Sequence, residues 1–243
     1  MKGECLQYNF GSGDEAAYYW MNADGSKGGI VSETATVAES AHISADAIIG
    51  HGVAIGNGVR IGAYARIGNS VHIGHDTRIG HGTTIGRNAS IGVGTTIGYC
   101  SHIHDGVGIG NSTAIGNNTS IGGYAHIGND ANIGAYVRIG NVVAIGNGVQ
   151  IGYGITICHC VTIEAADWYI TGGHCGSREA IWTAVHSYEH GLRWWFYCRF
   201  GITTEELLEF ARTEHGNSNR AAVYRHVCSF VTTHPEYVKR VAN

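Results

Sequence analysis

The sequence predicts a mainly β protein, in which a stack of short β-strand repeats precedes a small α+β domain. Isoleucine occupies every sixth position from Ile43 to Ile163, which makes 21 consecutive positions, and glycine follows 17 of them. The chain has 38 glycines but only one proline, and the glycines follow the six-residue period, which argues for order. A fixed short period indicates a stack of identical structural units rather than an ordinary globular core.

Residues 1–30 precede the repeat and are predicted to form an N-terminal cap. The open end of a repeat stack exposes apolar surface and unpaired strand edges, so a stable stack needs a cover at that end. The run Tyr18, Tyr19, Trp20 and Met21 supplies apolar side chains suited to this position.

Residues 31–164 form the repeat region, and the alternation of side chains along a strand predicts that its isoleucines face inward. The residue two positions before each isoleucine should face inward as well. Those residues, such as Ala41, Val59 and Thr83, are small or β-branched, as a narrow interior requires.

This pattern resembles the hexapeptide-repeat, left-handed parallel β-helix family, a trimeric acyltransferase-like superfamily. The resemblance implies that three hexads make one triangular turn of eighteen residues, that the coil is left-handed, and that about seven turns are present. At ~4.8 Å between stacked strands, the prism is then roughly 34 Å tall.

Residues 165–243 lose the period and are predicted to form a β-hairpin and two helices. Strands are predicted at 167–171, 179–187 and 192–200. A capping box at 203–206 starts a helix that ends near His215 and Gly216, and a second helix is predicted at about 219–233. The segment resembles a small module that follows repeats in some bacterial and phage proteins. That resemblance rests on Gly176-Ser177-Arg178, Phe200-Gly201, the acidic helix start and His215-Gly216.

Composition narrows the range of partners and compartments. The formal net charge of −4 gives no reason to expect a nucleic-acid polymer or a membrane as partner. Seven cysteines at irregular spacing, with no secretion signal, indicate thiols in a reducing cytoplasm. The run Cys158-His159-Cys160 does not have the spacing of a zinc site, so no metal is predicted.

If one turn has eighteen residues, as the resemblance implies, residues eighteen apart stack on one face, which places Arg60 and Arg78 on adjacent strands above His42. Like charges on adjacent strands repel, and an anion bound by the two guanidinium groups would relieve that repulsion. We therefore predict an anion-binding ladder, to which Arg66 on the next face and the corner residues His81 and Tyr99 are added. The alternative is a solvated charged surface that keeps the stack soluble.

His104 interrupts the glycine pattern in the middle of the stack and flanks Ile103 together with His102. A histidine in this position is a candidate general base, and His104 or His102 would hold that role in an acyltransferase. The alternative is a substitution tolerated at an outward position.

The C-terminal domain offers a second set of candidate ligand contacts. Gly176-Ser177-Arg178 is predicted to form an anion-binding turn, and Trp195, Tyr197 and Arg199 lie together on one predicted strand. Aromatic residues beside arginine can stack a nucleobase. The alternative is that these aromatic side chains pack on the helices or on the repeat stack.

Three functions remain open. In the first, a homotrimer binds or sequesters an anionic, nucleotide-type small molecule between its subunits without a cofactor, for instance as a phage protein that removes immune messengers. In the second, which the resemblance implies, the chain is an acyl-CoA-dependent O- or N-acyltransferase. In the third, it is a rigid spacer or fibre component. The repeat has no loop insertions of the kind that build acceptor sites in the family's enzymes, and this favours binding over catalysis.

Overall fold

The computed structural model describes residues 2–11, 13–164, 168–175, 180–187, 191–196 and 199–215, with Arg225, Cys228 and Ser229. Within these residues the repeat region is a parallel β-solenoid of about seven turns with three sheets around one core. Each turn contributes one two-residue strand to each sheet, and the second residue of nearly every strand is an inward isoleucine.

The three sheets contain the following strands. The ten-stranded sheet contains β1 Lys2–Asn9, β2 Asp14–Met21, β3 Lys27–Ser32, β6 Ile48–Ile49, β9 Arg66–Ile67, β12 Thr84–Ile85, β15 His102–Ile103, β18 Ser120–Ile121, β21 Arg138–Ile139 and β24 Thr156–Ile157. The eight-stranded sheet contains β4 Thr36–Val37, β7 Ala54–Ile55, β10 His72–Ile73, β13 Ser90–Ile91, β16 Gly108–Ile109, β19 His126–Ile127, β22 Ala144–Ile145 and β25 Thr162–Ile163. The seven-stranded sheet contains β5 His42–Ile43, β8 Arg60–Ile61, β11 Arg78–Ile79, β14 Thr96–Ile97, β17 Ala114–Ile115, β20 Asn132–Ile133 and β23 Gln150–Ile151.

The predicted inward and outward positions are confirmed. All 21 isoleucines of the period are buried, and the residues two positions earlier are buried almost throughout. Partners in the ladders are eighteen residues apart, as in the pairing of Arg78 with Arg60. The predicted columns of outward residues are therefore the columns of the structure.

The interior of the middle turns contains hydroxyl groups as well as aliphatic side chains, and each hydroxyl is satisfied. Thr83 Oγ1 donates to the carbonyl of Gly98 at 2.7 Å, and Ser101 Oγ donates to that of Gly116 at 2.9 Å. Burying a hydroxyl without a partner would cost roughly 1–3 kcal/mol. These inward threonines and serines therefore bind the corner carbonyls and do not form an internal polar site.

The N-terminal segment forms strands that join the first turn of the solenoid. Strands β1 and β2 form an antiparallel hairpin, and β2 also pairs with β3, which joins the ten-stranded sheet. Trp20 is 3% exposed and its Nε1 donates to the carbonyl of Ala41 at 3.3 Å. The amide of Asn22 accepts from Ile43 N at 2.9 Å and donates to Ile43 O at 3.1 Å, which replaces a missing strand at this edge.

The described part of the C-terminal segment is an antiparallel sheet followed by a helix. The strands are β26 Trp168–Cys175, β27 Ala180–Ser187, β28 Gly191–Phe196 and β29 Arg199–Ile202, and the helix is α1 Thr204–His215. The capping box is confirmed, since Glu206 N donates to Thr203 Oγ1 at 3.1 Å and Thr203 N donates to Glu206 Oε2 at 2.8 Å.

Two sequence expectations for this segment need comment. The single strand predicted at 192–200 is wrong, because Arg199–Ile202 is a separate fourth strand that pairs antiparallel with β28. The second helix predicted at 219–233 lies, apart from three isolated residues, outside the described residues.

Candidate functional site

A groove of about 400 Å³ lies on the outer face of the ten-stranded sheet, beside the tip of the N-terminal hairpin. In the hairpin, β1 and β2 pair with each other as far as Asn9 and Asp14, whereas β2 pairs with β3 only from Ala17 onward. The tip of the hairpin therefore extends beyond the end of β3. Residues of four successive turns form the sheet side. The groove is lined by Tyr8, Asn9, Phe10, Gly11, Ile48, Gly50, Arg66, Ile67, Gly68, Asn69, Thr84, Ile85, Gly86, Arg87 and Asp105.

Two arginines supply the positive charge of this groove. Arg66 is the outward residue of β9, and Arg87 lies at the corner that follows β12. Both are exposed, and in the described part of the chain neither forms an ion pair. A guanidinium group presents a planar set of donors that suits phosphate or carboxylate oxygens.

Three acceptor side chains of the groove bind backbone N–H groups. Asp105 Oδ1 accepts from Arg87 N at 2.7 Å, and Asn69 Oδ1 accepts from His51 N at 3.0 Å. Asn9 Oδ1 accepts from Gly11 N at 2.8 Å within the hairpin tip. With two guanidinium groups and one carboxylate, the lining of the groove carries a net positive charge, which favours an anionic ligand.

The hairpin side of the groove is aromatic. The rings of Tyr8 and Phe10 lie 4.9 Å apart between centroids, tilted by 57°, and both side chains are half-buried. They are two residues apart on β1 and its continuation, so they share one face. A flat apolar group could pack against this wall while its charged part reaches the arginines.

Both candidate base residues lie next to this groove. His102 is the outward residue of β15, directly beside Thr84 of the groove in the parallel ladder, and His104 immediately precedes Asp105. Both histidines are exposed. The structure thus places Arg66, His102 and His104, which were predicted separately, on the same sheet face.

His104 occupies a position at which the repeat normally requires glycine. A Cβ on Gly86, one turn earlier, would lie 2.5 Å from Asp105 N and 2.6 Å from His104 C. The atoms of the next turn that such a Cβ meets include backbone atoms, and other glycines of this kind, such as Gly62 and Gly116, also meet backbone of the next turn. His104 is therefore an exception in a column that close backbone packing otherwise reserves for glycine.

The remaining predicted ligand contacts lie elsewhere on the solenoid. His42, Arg60 and Arg78 are exposed neighbours on the seven-stranded sheet, as predicted. His81 and Tyr99 lie at the corner between this sheet and the ten-stranded sheet, and the His81 ring contacts that of Tyr64 edge-on at 5.2 Å. The structure does not bring these residues into the groove.

The C-terminal candidates divide between described and undescribed residues. Trp195 pairs with Thr183 across β27 and β28, and Arg199 pairs with Phe196 at the start of β29. Arg178 and Tyr197 lie outside the described residues. The predicted aromatic and basic contact surface therefore stays a prediction.

Other histidines of the corners have a structural role. His75 Nδ1 accepts from Asn57 N at 2.9 Å, and His159 Nδ1 accepts from Asn141 N at 2.7 Å. At the same corner position other turns use asparagine, as in the bond from Val93 N to Asn111 Oδ1. These two histidines thus substitute for asparagine as acceptors.

Among the described residues, no three histidine, cysteine or acidic side chains are grouped as metal ligands. Cys158 is half-buried beside the C-terminal sheet, and its backbone N donates to Thr183 Oγ1 at 3.0 Å. Burial raises the pKa of the Cys158 thiol above its ordinary value, because a thiolate is poorly solvated there. No helix in the described part of the chain is long and apolar enough to cross a membrane.

The two aromatic residues and one of the two arginines of the groove were not predicted as ligand contacts from the sequence. Tyr8 and Phe10 precede the repeat, so no periodicity relates them to it. Arg87 was not predicted as a ligand contact either. A partial signal existed for Arg87, since Arg66 and Arg87 belong to strand and corner positions of the same face.

Comparison with known proteins agrees with this architecture. Residues 64–99 match the family model of the bacterial transferase hexapeptide (six repeats). This segment includes the turns that carry Arg66, Thr84 and Arg87. The repeat region is thus a hexapeptide-repeat β-solenoid. No curated protein matches the chain.

Solved structures similar to this chain include sugar-modifying transferases. A mutant of perosamine N-acetyltransferase from Caulobacter crescentus, in complex with CoA and GDP-perosamine, is 20% identical over 60% of this chain and 54% of its own, with a TM-score of 0.23. The chain therefore spans about half the length of that enzyme. LpxA, a UDP-N-acetylglucosamine acyltransferase from Bacteroides fragilis, is 18% identical over 83% of this chain and 96% of its own, with a TM-score of 0.32. LpxA from Acinetobacter baumannii is 17% identical over 82% and 96%, with a TM-score of 0.38. At these identities the similarity concerns the repeat architecture.

Proposed function

We propose that this protein is an acyl-CoA-dependent acyltransferase that acylates a hydroxyl or amine, with its reaction centre at the groove of the ten-stranded sheet. The observation that carries the proposal is the position of His102 and His104, two exposed histidines that adjoin a donor-rich groove. The match of the neighbouring turns to a transferase repeat family supports the same class of function.

The proposed reaction needs one residue that accepts a proton. The neutral imidazole of His104 or His102 removes the proton of the acceptor hydroxyl or amine as that atom attacks the thioester carbonyl. The tetrahedral intermediate then breaks its C–S bond, and the CoA thiolate takes the proton from the imidazolium. The products are an ester or amide and CoA thiol, and the histidine returns to its neutral form.

Of the two histidines, His104 is our first choice as the base. Its side chain occupies a column otherwise kept as glycine through the middle of this face. His102 is an ordinary outward residue, a position that accepts many residue types along the sheet. Its proximity makes it the alternative base.

The match to transferase repeats favours acyl transfer over the sequestration and spacer hypotheses.

The sequestration hypothesis is tested by a separate experiment. Purified protein is examined by native mass spectrometry and then heated, and the supernatant is analysed. Intact release of a phosphorylated small molecule would support sequestration. The same native spectrum tests the homotrimer that the family resemblance implies.

Turnover is tested by following CoA thiol release from acetyl-CoA and longer acyl-CoA donors with a panel of amino sugars and sugar nucleotides as acceptors. We expect His104→Ala to lower kcat by about 100-fold or more, as for loss of a general base. The matched control is His126→Ala, an exposed histidine of the eight-stranded sheet, which should retain full activity. Undiminished turnover in both His104→Ala and His102→Ala would rule out the proposed base.

A further inference from the structure

We propose that the groove beside the hairpin tip binds a nucleoside diphosphate group within a single protomer. The aromatic wall of Tyr8 and Phe10 would contact the base, and Arg66 and Arg87 would bind the phosphates. Nucleotide binding in this groove can be tested independently of catalysis. The inference rests on the proposed function only in treating the bound nucleotide as part of a substrate.

The charge balance of the groove is the first argument. Arg66 and Arg87 form no ion pair among the described residues, and the nearby carboxylate of Asp105 accepts a backbone N–H at 2.7 Å. The amide oxygens of Asn9 and Asn69 are committed in the same way. The two guanidinium groups outnumber the single carboxylate of the lining, so a ligand that supplies acceptors and negative charge complements this arrangement.

The shape of the groove is the second argument. Its volume of about 400 Å³ is in the range of small-molecule sites, which lie at roughly 300–1,000 Å³. Its aromatic side belongs to the hairpin, and its cationic side belongs to the sheet. A ligand that fills both sides has a flat ring at one end and an anionic group at the other, which describes a nucleoside with phosphates.

The third argument is the contrast with the arginines of the seven-stranded sheet. Arg60 and Arg78 are adjacent in the ladder and exposed, yet the aromatic hairpin tip lies beside the other sheet. Both pairs come from the same repeat. Because the aromatic wall adjoins only Arg66 and Arg87, we expect this pair to bind nucleotides more tightly than simple phosphate. We expect no such preference at Arg60 and Arg78.

Binding is measured by titration calorimetry on the full-length protein with ADP and UDP as probes, and with pyrophosphate and uridine as partial probes. We expect the nucleoside diphosphates to bind at least about 10-fold more tightly than pyrophosphate or uridine, because each partial probe fills one side only. In the double variant Arg66→Ala, Arg87→Ala the affinity should fall by about 100-fold or more, because both charged donors to the phosphates are lost.

Two further variants make the result specific. Phe10→Ala should weaken the binding of ADP and UDP by about 10-fold and leave that of pyrophosphate unchanged, because only the base stacks on the aromatic wall. The control Arg60→Ala, Arg78→Ala removes the same charge from the other sheet and should leave nucleotide affinity unchanged. Equal losses in the two arginine double variants, or pyrophosphate binding as tight as that of ADP, would overturn the inference.

A competition experiment with CoA distinguishes whether the bound nucleotide belongs to the acyl donor or to the acceptor. It measures binding and does not depend on catalysis. If CoA displaces ADP and its binding also depends on Arg66 and Arg87, the groove holds the acyl donor. If UDP binds more tightly and CoA does not compete, the groove holds a nucleotide-linked acceptor. Nucleotide binding without CoA release in any turnover assay would refute the acyltransferase and leave this site standing.

Discussion

The middle of the solenoid and its two ends are built on different principles. In the middle, each turn is stabilised by an almost identical turn above and below, and the three outer faces are open. At the first turn, Trp20 and Asn22 take the place of a missing neighbour. At the last turns, Thr183 of the C-terminal sheet contacts Cys158. The repeat thus supplies a rigid surface, whereas the non-repeating N-terminal segment makes part of that surface concave.

The strongest test of the tight spacing in the middle is Gly86→Ala. The added Cβ would lie 2.5 Å from Asp105 N, and backbone on both sides of this contact is held by ladder bonds. We expect a loss of about 3 kcal/mol in the free energy of unfolding, measured by urea denaturation. Gly152→Ala is the matched control at the end of the stack, where a Cβ meets nothing within 4 Å. Equal urea midpoints for the two variants would contradict the comparison.

The second test compares one residue type at an end and in the middle. Asn22→Ala leaves Ile43 N and Ile43 O without their partners at a buried edge, and should cost about 2 kcal/mol. Asn111→Ala removes an exposed corner bond to Val93 N and should cost about 0.5 kcal/mol. Both values come from urea midpoints, and a larger loss for Asn111→Ala would refute the role of Asn22 as an edge substitute.

Cysteine labelling tests whether the C-terminal sheet covers the last turns. Cys100 is exposed in the middle of the stack, whereas Cys158 is half-buried and its thiol pKa is raised by burial. The thiolate is the reactive form, so at pH 8 iodoacetamide should modify Cys158 at least about 10-fold more slowly than Cys100. Peptide mass spectrometry measures both rates in one sample. Comparable rates would show that Cys158 is open to solvent.

The smallest expected effect concerns the charge ladder of the seven-stranded sheet. Arg78→Thr removes the repulsion between Arg78 and Arg60, and should raise the free energy of unfolding by about 0.5 kcal/mol at low salt. The gain should shrink as salt is added. Arg138→Thr is the control, because its ladder neighbours Ser120 and Thr156 are uncharged. A similar increase in the free energy of unfolding for Arg138→Thr would show that the effect comes from the strand preference of threonine and not from the loss of repulsion.

Most of the solenoid could be predicted from the sequence because its contacts are periodic. Once a turn contains eighteen residues, each residue's neighbours above and below follow from its number. With the turn length that the family resemblance implies, the placement of His102 beside Thr84, and of Arg60 beside Arg78, follows from the residue numbers. The helix start at Thr203 was equally predictable, since a capping box is a local interaction.

Prediction failed where contacts join segments of different kinds. The extra strand at Arg199–Ile202 pairs with β28, a pairing that the continuous strand propensity of 192–200 does not reveal. The aromatic wall of the groove depends on Tyr8 and Phe10, whose partners are set by the length of a hairpin and not by a period.

By itself the sequence determined the repeat, its core and the order of residues on each face, because a six-residue period repeats the same short-range geometry at every step. Tertiary structure alone decided which face became a groove. That choice depends on where a non-repeating hairpin ends and on which polar groups the backbone already engages. Both are consequences of long-range packing, which no local pattern in this chain encodes.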